Sequence, residues 1–338
     1  MIRELLRGSI EFPRTRAGTP DLQTVPGGLG ASPRRWLDAP PGPYSIERAD
    51  AYCETFARAH HEAFPVASRF VPTELRPHLL SVYAFARAAD DFADEPEYEG
   101  HRIEALDAWE NHLNRCLHGE ASHPVFVALA RTIEARDLST PPFEQLLSAF
   151  RSDVEITRYP TFARLRGYTS HAAEPVGRLL LALFGYRDPM LIQYADEIST
   201  ALQLTNFWQD VAADAARDHI YLPGEDLHYF GVTEADVKAL RPTEPLRDLI
   251  RYQVARTRAI YQHGRPLLRN VGKDLRLELT IIWLLGMAIL DKIEAADYDV
   301  FTRRPVIRKR DRALVLARAA RQWAMDLDLS SLRHLWGV

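Results

Sequence analysis

From about residue 45 onward, the chain repeats apolar residues at intervals of three and four, in one segment after another. This spacing places apolar side chains on one face of an α-helix, so it predicts amphipathic helices. Proline or glycine falls between the segments, as at Pro124 and Pro160, and convincing strand alternation is missing. We therefore predict an all-α fold, in which one domain of about ten or eleven helices covers residues 46–338.

Residues 1–45 differ from the rest of the chain. They hold many glycines and prolines and show no apolar periodicity, so we predict a flexible N-terminal extension. They also lack the apolar central block of a secretory signal. The longest apolar run, IIWLLGMAIL at 281–290, is much shorter than the roughly 20 residues that span a bilayer. We expect this run to be a buried core helix, and the protein to be cytoplasmic.

Charge, cysteine content and motifs exclude several classes of function. The 338 residues carry a net charge of −4 at pH 7, which gives no overall attraction to nucleic acid. The only cysteines, Cys53 and Cys116, have neither metal-ligand spacing nor a disulfide pattern. The P-loop motif and the GxGxxG dinucleotide motif are both absent, so the sequence does not indicate a standard nucleotide site.

The stretch RAADDFAD, residues 87–94, places three carboxylates directly after an apolar, aromatic segment. Asp90 and Asp94 are four residues apart, so on a helix they share one face at a separation of about 6 Å. Asp91 lies about 100° around the same helix. Such a cluster repels itself unless water or cations neutralise it, and taken alone it fits a solvated helix face as well as a binding site.

A second cluster favours the binding site. In QLTNFWQDVAAD, Gln203, Asn206, Asp210 and Asp214 fall on one stripe of an otherwise apolar helix. A polar stripe on a core-forming helix needs a buried partner, such as metal ions. Oxygen ligands suit Mg²⁺, which usually bridges a few carboxylates to substrate phosphates. We therefore predict a Mg²⁺-bound diphosphate between two acidic helices.

The remaining composition indicates the rest of the ligand. An all-helical shell rich in phenylalanine, tyrosine, leucine and valine suits a long apolar chain that carries a diphosphate head. The corresponding reaction is metal-assisted departure of diphosphate, which leaves a carbocation.

Three segments together resemble the squalene/phytoene synthase family, which joins prenyl diphosphates head to head. They are YAFARAADDFAD, HAAEPVGRLLLALFG and ALQLTNFWQDVAADAARDHIYLP, and the likeness runs from about residue 50 to about residue 320. The segments HHEAFPVASRFVP and FWQDVA are most similar to the hydroxysqualene synthases of bacterial hopanoid biosynthesis, which act on presqualene diphosphate. The resemblance implies an isoprenoid synthase-type helical bundle around a central cavity.

The resemblance also implies roles for individual residues. About three Mg²⁺ ions would be held by Asp90, Asp94, Asn206, Asp210 and Asp214. Contacts to the diphosphate would come from Arg87, Gln203, Arg217 and Tyr221. The wall of the substrate cavity would include His60, Phe64, Tyr83 and Tyr168, whose aromatic faces can stabilise cations or simply pack in the core.

Two departures from the family pattern bear on the reaction. Where enzymes that condense two prenyl diphosphates carry a serine-rich stretch, this chain has His61, Glu62 and Ala63 before Phe64. Glu62 would repel phosphate, which favours a substrate with a single diphosphate. In RDHIYLP, His219 replaces an arginine and is only partly charged near its ordinary pKa of about 6.5.

Several alternatives stay open. The cation can be quenched by water, giving hydroxysqualene without NADPH, or by hydride from NADPH, giving squalene. A condensing squalene, presqualene diphosphate or phytoene synthase is a second possibility, and a non-catalytic assembly factor is a third. The basic run at 303–312 fits a solvated surface, a cap over the site, or peripheral contact with the inner face of a membrane. Other enzymes of the same pathway are possible partners.

Overall fold

A computed structural model describes residues 43–60 and 71–321 of the chain. Within these residues it contains α-helices and one 3₁₀ turn, Pro96–Tyr98, and no β-strand; Arg158 and Ile220 form one isolated bridge. The helices are α1 (Ile46–Ala59), α2 (Arg76–Asp94), α3 (Arg102–Leu117), α4 (Pro124–Arg136), α5 (Pro141–Glu155), α6 (Phe162–Ala172), α7 (Glu174–Leu183), α8 (Pro189–Ala216), α9 (Gly224–Tyr229), α10 (Glu234–Lys238), α11 (Glu244–Gly264), α12 (Leu267–Asn270) and α13 (Lys273–Ala295). Residues 309–321 are also helical. The all-α prediction is confirmed.

The predicted number of helices was too low. Three short helices, α9, α10 and α12, contain too few residues to show a periodic pattern. The segment from Phe162 to Leu183, which reads as one amphipathic pattern, is broken at Ala173. Pro175 causes the break, because it lacks an N–H and fits only the first turn of a helix.

Apolar side chains form two packed cores. The first core joins α1 to α5 and is built around large rings such as Trp109, Phe85 and Phe126. The second core joins α8, α11 and α13, and the Trp208 indole in it donates a hydrogen bond of 2.8 Å to Thr257 Oγ1. Helices α5 and α7 contribute residues to both cores, so the two cores belong to one packed unit.

Helices α8 and α13 lie side by side and run in the same direction. Just before α8, the Tyr186 hydroxyl accepts a hydrogen bond of 2.5 Å from the Gly272 N–H, which immediately precedes α13. Further along, a Cβ atom on Gly286 would lie 3.1 Å from Leu202 Cδ2. Position 286 also faces a third helix, α11, because the same Cβ would lie 2.0 Å from the Tyr261 hydroxyl.

A cavity of about 250 Å³ lies between the two cores. Its wall comes from α2, α7, α8, α13 and the helical residues 309–321. The lining is mostly leucine, isoleucine and valine. The predicted central cavity is therefore present, and it is apolar.

The apolar run at 281–290 lies within α13, where Ile281, Leu284 and Leu290 are buried. It is therefore a core helix, as predicted. Within residues 43–60 and 71–321, the structure has no helix long and apolar enough to cross a membrane. Residues 1–42, 61–70 and 322–338 lie outside the described residues, so the N-terminal extension stays a prediction.

Candidate active site

The first acidic cluster lies at the C-terminal end of α2. Asp90 and Asp91 are buried, whereas the side chain of Asp94 is 35% exposed. Arg87 is buried one turn earlier, and its Nη1 lies 2.9 Å from Asp90 Oδ2 and 2.5 Å from Asp91 Oδ1. A guanidinium held between two carboxylates offsets their mutual repulsion. The predicted diphosphate ligand Arg87 therefore lies within the cluster of predicted metal ligands.

His60 contacts this cluster from the end of α1. Its Nε2 lies 2.9 Å from Asp91 Oδ2, and its Nδ1 lies 2.8 Å from the Phe56 carbonyl oxygen. Both ring nitrogens thus lie within hydrogen-bond distance of oxygen atoms. The structure places His60 against the acidic helix, where its ring contacts Asp91. Phe64, the next predicted cavity residue along the chain, lies outside the described residues.

The second acidic cluster runs along the C-terminal half of α8. Gln203, Asn206, Asp210 and Asp214 are all buried, as the stripe in the sequence predicts. Gln203 Oε1 has no hydrogen-bond partner within the described residues. A buried amide oxygen without a donor is a group that a ligand can complete.

Arg304, from the basic run at 303–312, also reaches the second cluster. Its Nη2 lies 3.0 Å from Asp210 Oδ2, and its Nε contacts the same carboxylate. Of the three alternatives for the basic run, a cap over the site therefore applies to Arg304, whereas residues 308–310 are exposed. The sequence carried no signal for this pairing, because its two residues lie 94 positions apart.

Arg217 connects the two clusters. Its Nη2 lies 2.8 Å from Asp214 Oδ1, and its Nη1 lies 4.0 Å from Asp94 Oδ2 on the other acidic helix. Burial raises the pKa of Asp214 to about 7; the Arg217 guanidinium opposes this rise, and the nearby Asp210 adds to it. A bound cation would favour the ionised form of this carboxyl group.

Asp153, at the end of α5, is a member of the site that the sequence did not predict. Its Oδ2 accepts a hydrogen bond of 2.6 Å from the Tyr168 hydroxyl, and its Oδ1 accepts one of 3.4 Å from Tyr221. Desolvation raises the pKa of Asp153 to about 7 against the effect of the Tyr168 hydrogen bond, and Asp94 and Asp90 raise it further. Asp153 therefore faces the first cluster and binds two tyrosines predicted for the site. A single acid at the end of an amphipathic helix gave no pattern by which to find it.

Aromatic rings pack beside Asp153. The Phe207 and Tyr221 rings are stacked with centroids 3.8 Å apart, and the Tyr168 and Phe207 centroids are 6.1 Å apart. Burial raises the pKa of Tyr168 and of Tyr221 well above the ordinary range, so both hydroxyls stay neutral donors. His219 lies 3.4 Å from the Tyr221 hydroxyl, and burial lowers its pKa. His219 is therefore neutral at pH 7.

The oxygen ligands suit Mg²⁺ shared with a phosphate better than a metal ion held by protein alone. Within the described residues, no group of three or more histidine, cysteine, aspartate or glutamate side chains converges on one point. Mg²⁺ commonly uses one or two carboxylates and takes its other ligands from phosphate and water. The predicted ligands offer carboxylate and amide oxygens, which fit that coordination in kind.

The apolar cavity begins one helical turn from the acidic clusters. Tyr83 and Ala86 line it from α2, and Ala86 precedes Asp90 by four residues. From α8, Leu202 lines it and precedes Asn206 by four residues. Since residues four apart share a helix face, the polar clusters and the apolar wall form one continuous surface. The arrangement can hold a polar head beside the aspartates and a hydrocarbon chain in the cavity.

Comparison with known proteins identifies the family to which this chain belongs. The sequence model of the family described as squalene/phytoene synthase matches residues 57–311. The phytoene synthase of Arthrospira platensis is 33% identical over 275 residues, which cover 77% of this chain and 89% of that protein. The 15-cis-phytoene synthase of a Synechocystis species is 30% identical over 275 residues, which cover 78% of this chain and 82% of that protein.

Solved structures share the fold. Squalene synthase HpnC from Alicyclobacillus acidocaldarius matches with a TM-score of 0.73 and 40% identity, covering 78% of this chain and 99% of that one. A dehydrosqualene synthase in complex with a ligand matches with a TM-score of 0.75 and 24% identity, covering 83% of this chain and 98% of that one. At 24% identity, the second match supports the fold alone.

Proposed function

Because the chain belongs to the squalene/phytoene synthase family, whose members act on prenyl diphosphates, we propose that it is a hydroxysqualene synthase. Its substrate is presqualene diphosphate, which reacts with water to give hydroxysqualene and diphosphate. The observation that carries this proposal is the apolar cavity that meets two buried acidic clusters, one from α2 and one from α8. The cavity accommodates the hydrocarbon, and the clusters bind the diphosphate.

The choice of presqualene diphosphate rests on two further observations. The squalene synthase neighbour is 40% identical to this chain, whereas the phytoene synthase of Arthrospira platensis is 33% identical. In addition, His61, Glu62 and Ala63 offer no hydroxyl groups for a second diphosphate. The first observation favours a squalene-type reaction over a phytoene-type one. The second favours a substrate that has one diphosphate and was formed by an earlier condensation.

We propose Mg²⁺ as the cofactor, held by Asp90, Asp94, Asn206, Asp210 and Asp214. When bound, Mg²⁺ supplies positive charge that stabilises the leaving diphosphate. NADPH is not required, because water is the nucleophile.

The protein's own side chains bind the diphosphate and shield the cation. Arg87 and Arg217 exchange part of their contact with carboxylates for contact with the diphosphate, and Gln203 and Tyr221 add polar contacts. The Tyr83 and Tyr168 rings stabilise the cation by cation–π contact, worth up to about 2 kcal/mol in a dry site. The leucine-rich wall limits water to the molecule that is captured.

We also propose peripheral contact with the inner face of a membrane. Residues 308–310 are exposed and basic, and the Leu314 and Leu316 side chains that follow are 59% and 43% exposed. A basic segment next to exposed leucines suits an anionic lipid surface, from which an apolar substrate can enter.

The second candidate is a condensing synthase, because both curated relatives described above are phytoene synthases. A non-catalytic assembly role is disfavoured, because both acidic motifs are present and buried.

Product analysis by mass spectrometry separates these functions. The protein is incubated with Mg²⁺ and presqualene, farnesyl or geranylgeranyl diphosphate, each with and without NADPH. We expect a C30 alcohol from presqualene diphosphate alone. Squalene or presqualene diphosphate made from farnesyl diphosphate, or phytoene made from geranylgeranyl diphosphate, would show a condensing synthase. No turnover of any substrate would favour the non-catalytic role.

A further inference from the structure

Glu278, on α13, is the one carboxylate among the described residues that line the apolar cavity. It is 5% exposed, and its Oε1 has no hydrogen-bond partner within the described residues. Burial alone raises its pKa to about 8, so the side chain is mostly neutral at pH 7. A neutral carboxyl group still carries a donor and acceptors that need polar partners. The proposed chemistry does not use this group, which lies away from both acidic clusters.

The alignment of α8 with α13 shows how far Glu278 lies from the acidic clusters along the cavity. Gly286 lies level with Leu202, and Glu278 precedes Gly286 by eight residues. At about 1.5 Å per residue, Glu278 lies about 12 Å below the level of Leu202. Asn206 lies about 6 Å above Leu202 on α8. The Glu278 carboxyl group is therefore about 18 Å from the level of the proposed diphosphate site.

This depth lies between the lengths of a C15 and a C20 prenyl chain. With C–C bonds near 1.5 Å, an extended chain advances about 1.25 Å per bond, so a C15 prenyl arm reaches about 14 Å from its diphosphate. One further prenyl unit adds about 5 Å. A C15 arm thus ends short of Glu278, whereas a C20 arm reaches it and displaces water from the carboxyl group, whose Oε1 has no protein partner within the described residues.

We propose that Glu278 is a specificity-determining residue that sets the length of the hydrocarbon arm, admitting C15-derived arms and rejecting C20-derived arms. The inference rests on the proposed function and adds a selection by chain length to it. Leaving a buried polar group against hydrocarbon weakens binding by about tenfold or more. A carboxyl group at this depth in the cavity wall therefore separates squalene-type from phytoene-type substrates.

The test measures binding of two unreactive probes to the full chain in Mg²⁺, by calorimetry: farnesyl and geranylgeranyl thiolodiphosphate, in which sulfur replaces the bridging oxygen. We expect the native protein to bind the C15 probe at least about tenfold more tightly than the C20 probe. Glu278→Ala removes the polar group, so its two affinities should lie within about threefold of each other. Glu278→Gln keeps a neutral polar group and should keep the native preference.

Ile282→Ala is the matched control, because Ile282 lines the cavity one turn nearer the acidic clusters. It enlarges the cavity without changing Glu278, so the native ratio of affinities should persist. A folded Glu278→Ala variant that keeps the tenfold preference would overturn the inference, as would a native protein that binds both probes equally. In both cases the proposed function would stand. Binding of neither probe to the native protein would also overturn the inference, which requires a C15 arm to bind, whereas the proposed function is tested separately by the products formed from presqualene diphosphate.

Discussion

Neighbouring aspartates at the end of α2 have different surroundings. Asp90 contacts Arg87 and belongs to the predicted metal ligands, whereas Asp91 contacts both Arg87 and His60. Asp91 therefore joins α1 to α2, and Asp90 faces the site. Sequence spacing alone distinguished the two only by their angle around the helix.

This difference predicts that the same substitution mainly affects activity at position 90 and mainly affects stability at position 91. Asp90→Asn should lower kcat/KM by at least about 100-fold, because the proposed Mg²⁺ site loses a carboxylate ligand. It should destabilise the fold less than Asp91→Asn does, because it weakens the Arg87–Asp90 pair and leaves the contacts of Asp91 with Arg87 and His60 in place. Asp91→Asn should lower the free energy of unfolding by about 3 kcal/mol, because it breaks a buried ion-pair network. Steady-state kinetics and urea unfolding test the pair. Full activity in Asp90→Asn would contradict the metal assignment.

Asp153 predicts a pH dependence of stability. Its folded-state pKa is raised from 3.8 to about 7, chiefly by desolvation, so the folded protein binds this proton more tightly than the unfolded chain does. Stability therefore falls as pH rises from about 4 to about 7. The free energy of unfolding of the native protein should decline over this window relative to Asp153→Asn, which cannot titrate there. Urea unfolding at several pH values, without Mg²⁺, measures the difference; equal slopes would contradict it.

At the scale of elements, the packing of α13 against α11 depends on one glycine, Gly286. A Cβ atom at position 286 would lie 2.0 Å from the Tyr261 hydroxyl and 2.7 Å from its Cζ. Tyr261 is fully buried and bonded to Thr205, so it has little room to move.

Gly286→Ala should therefore lower the free energy of unfolding by about 1–3 kcal/mol, through overpacking. Gly167→Ala is the matched control, because it lies in α6 with no heavy atom within 4 Å of its added Cβ. The control should gain about 0.5–1 kcal/mol from reduced backbone entropy. Thermal or urea unfolding of both variants measures the contrast. Equal effects would show that the close packing at Gly286 is not a constraint.

At the scale of the whole molecule, the sequence predicted local features better than long-range ones. Helical periodicity gave the fold class, and one-turn spacing gave the polar stripe of Gln203, Asn206, Asp210 and Asp214. The pairing of Arg304 with Asp210, the tyrosine partners of Asp153 and the depth of Glu278 depend on how distant helices pack. No local pattern encodes such packing, so only the structure showed them.

The proposed site predicts that Mg²⁺ and diphosphate bind together. Guanidinium groups already contact Asp90, Asp210 and Asp214, so Mg²⁺ alone must displace them. Diphosphate gives those guanidinium groups a new partner. Each ligand should therefore bind more tightly when the other is present, and Mg²⁺ with diphosphate should raise the melting temperature by more than the sum of the two separate shifts. For scale, a ligand at 100 times its Kd stabilises the folded state by about 2.7 kcal/mol. Scanning calorimetry with each component alone and with both tests this; additive shifts would contradict it.

The same arginine contacts also affect how the protein folds when metal is scarce. Since Arg87, Arg217 and Arg304 already neutralise the buried aspartates, the newly made chain can reach its folded state without waiting for a metal supply. With Mg²⁺ as the proposed cofactor, a protein deprived of the metal would stay folded and inactive, and it would regain activity when Mg²⁺ and substrate return, without new synthesis.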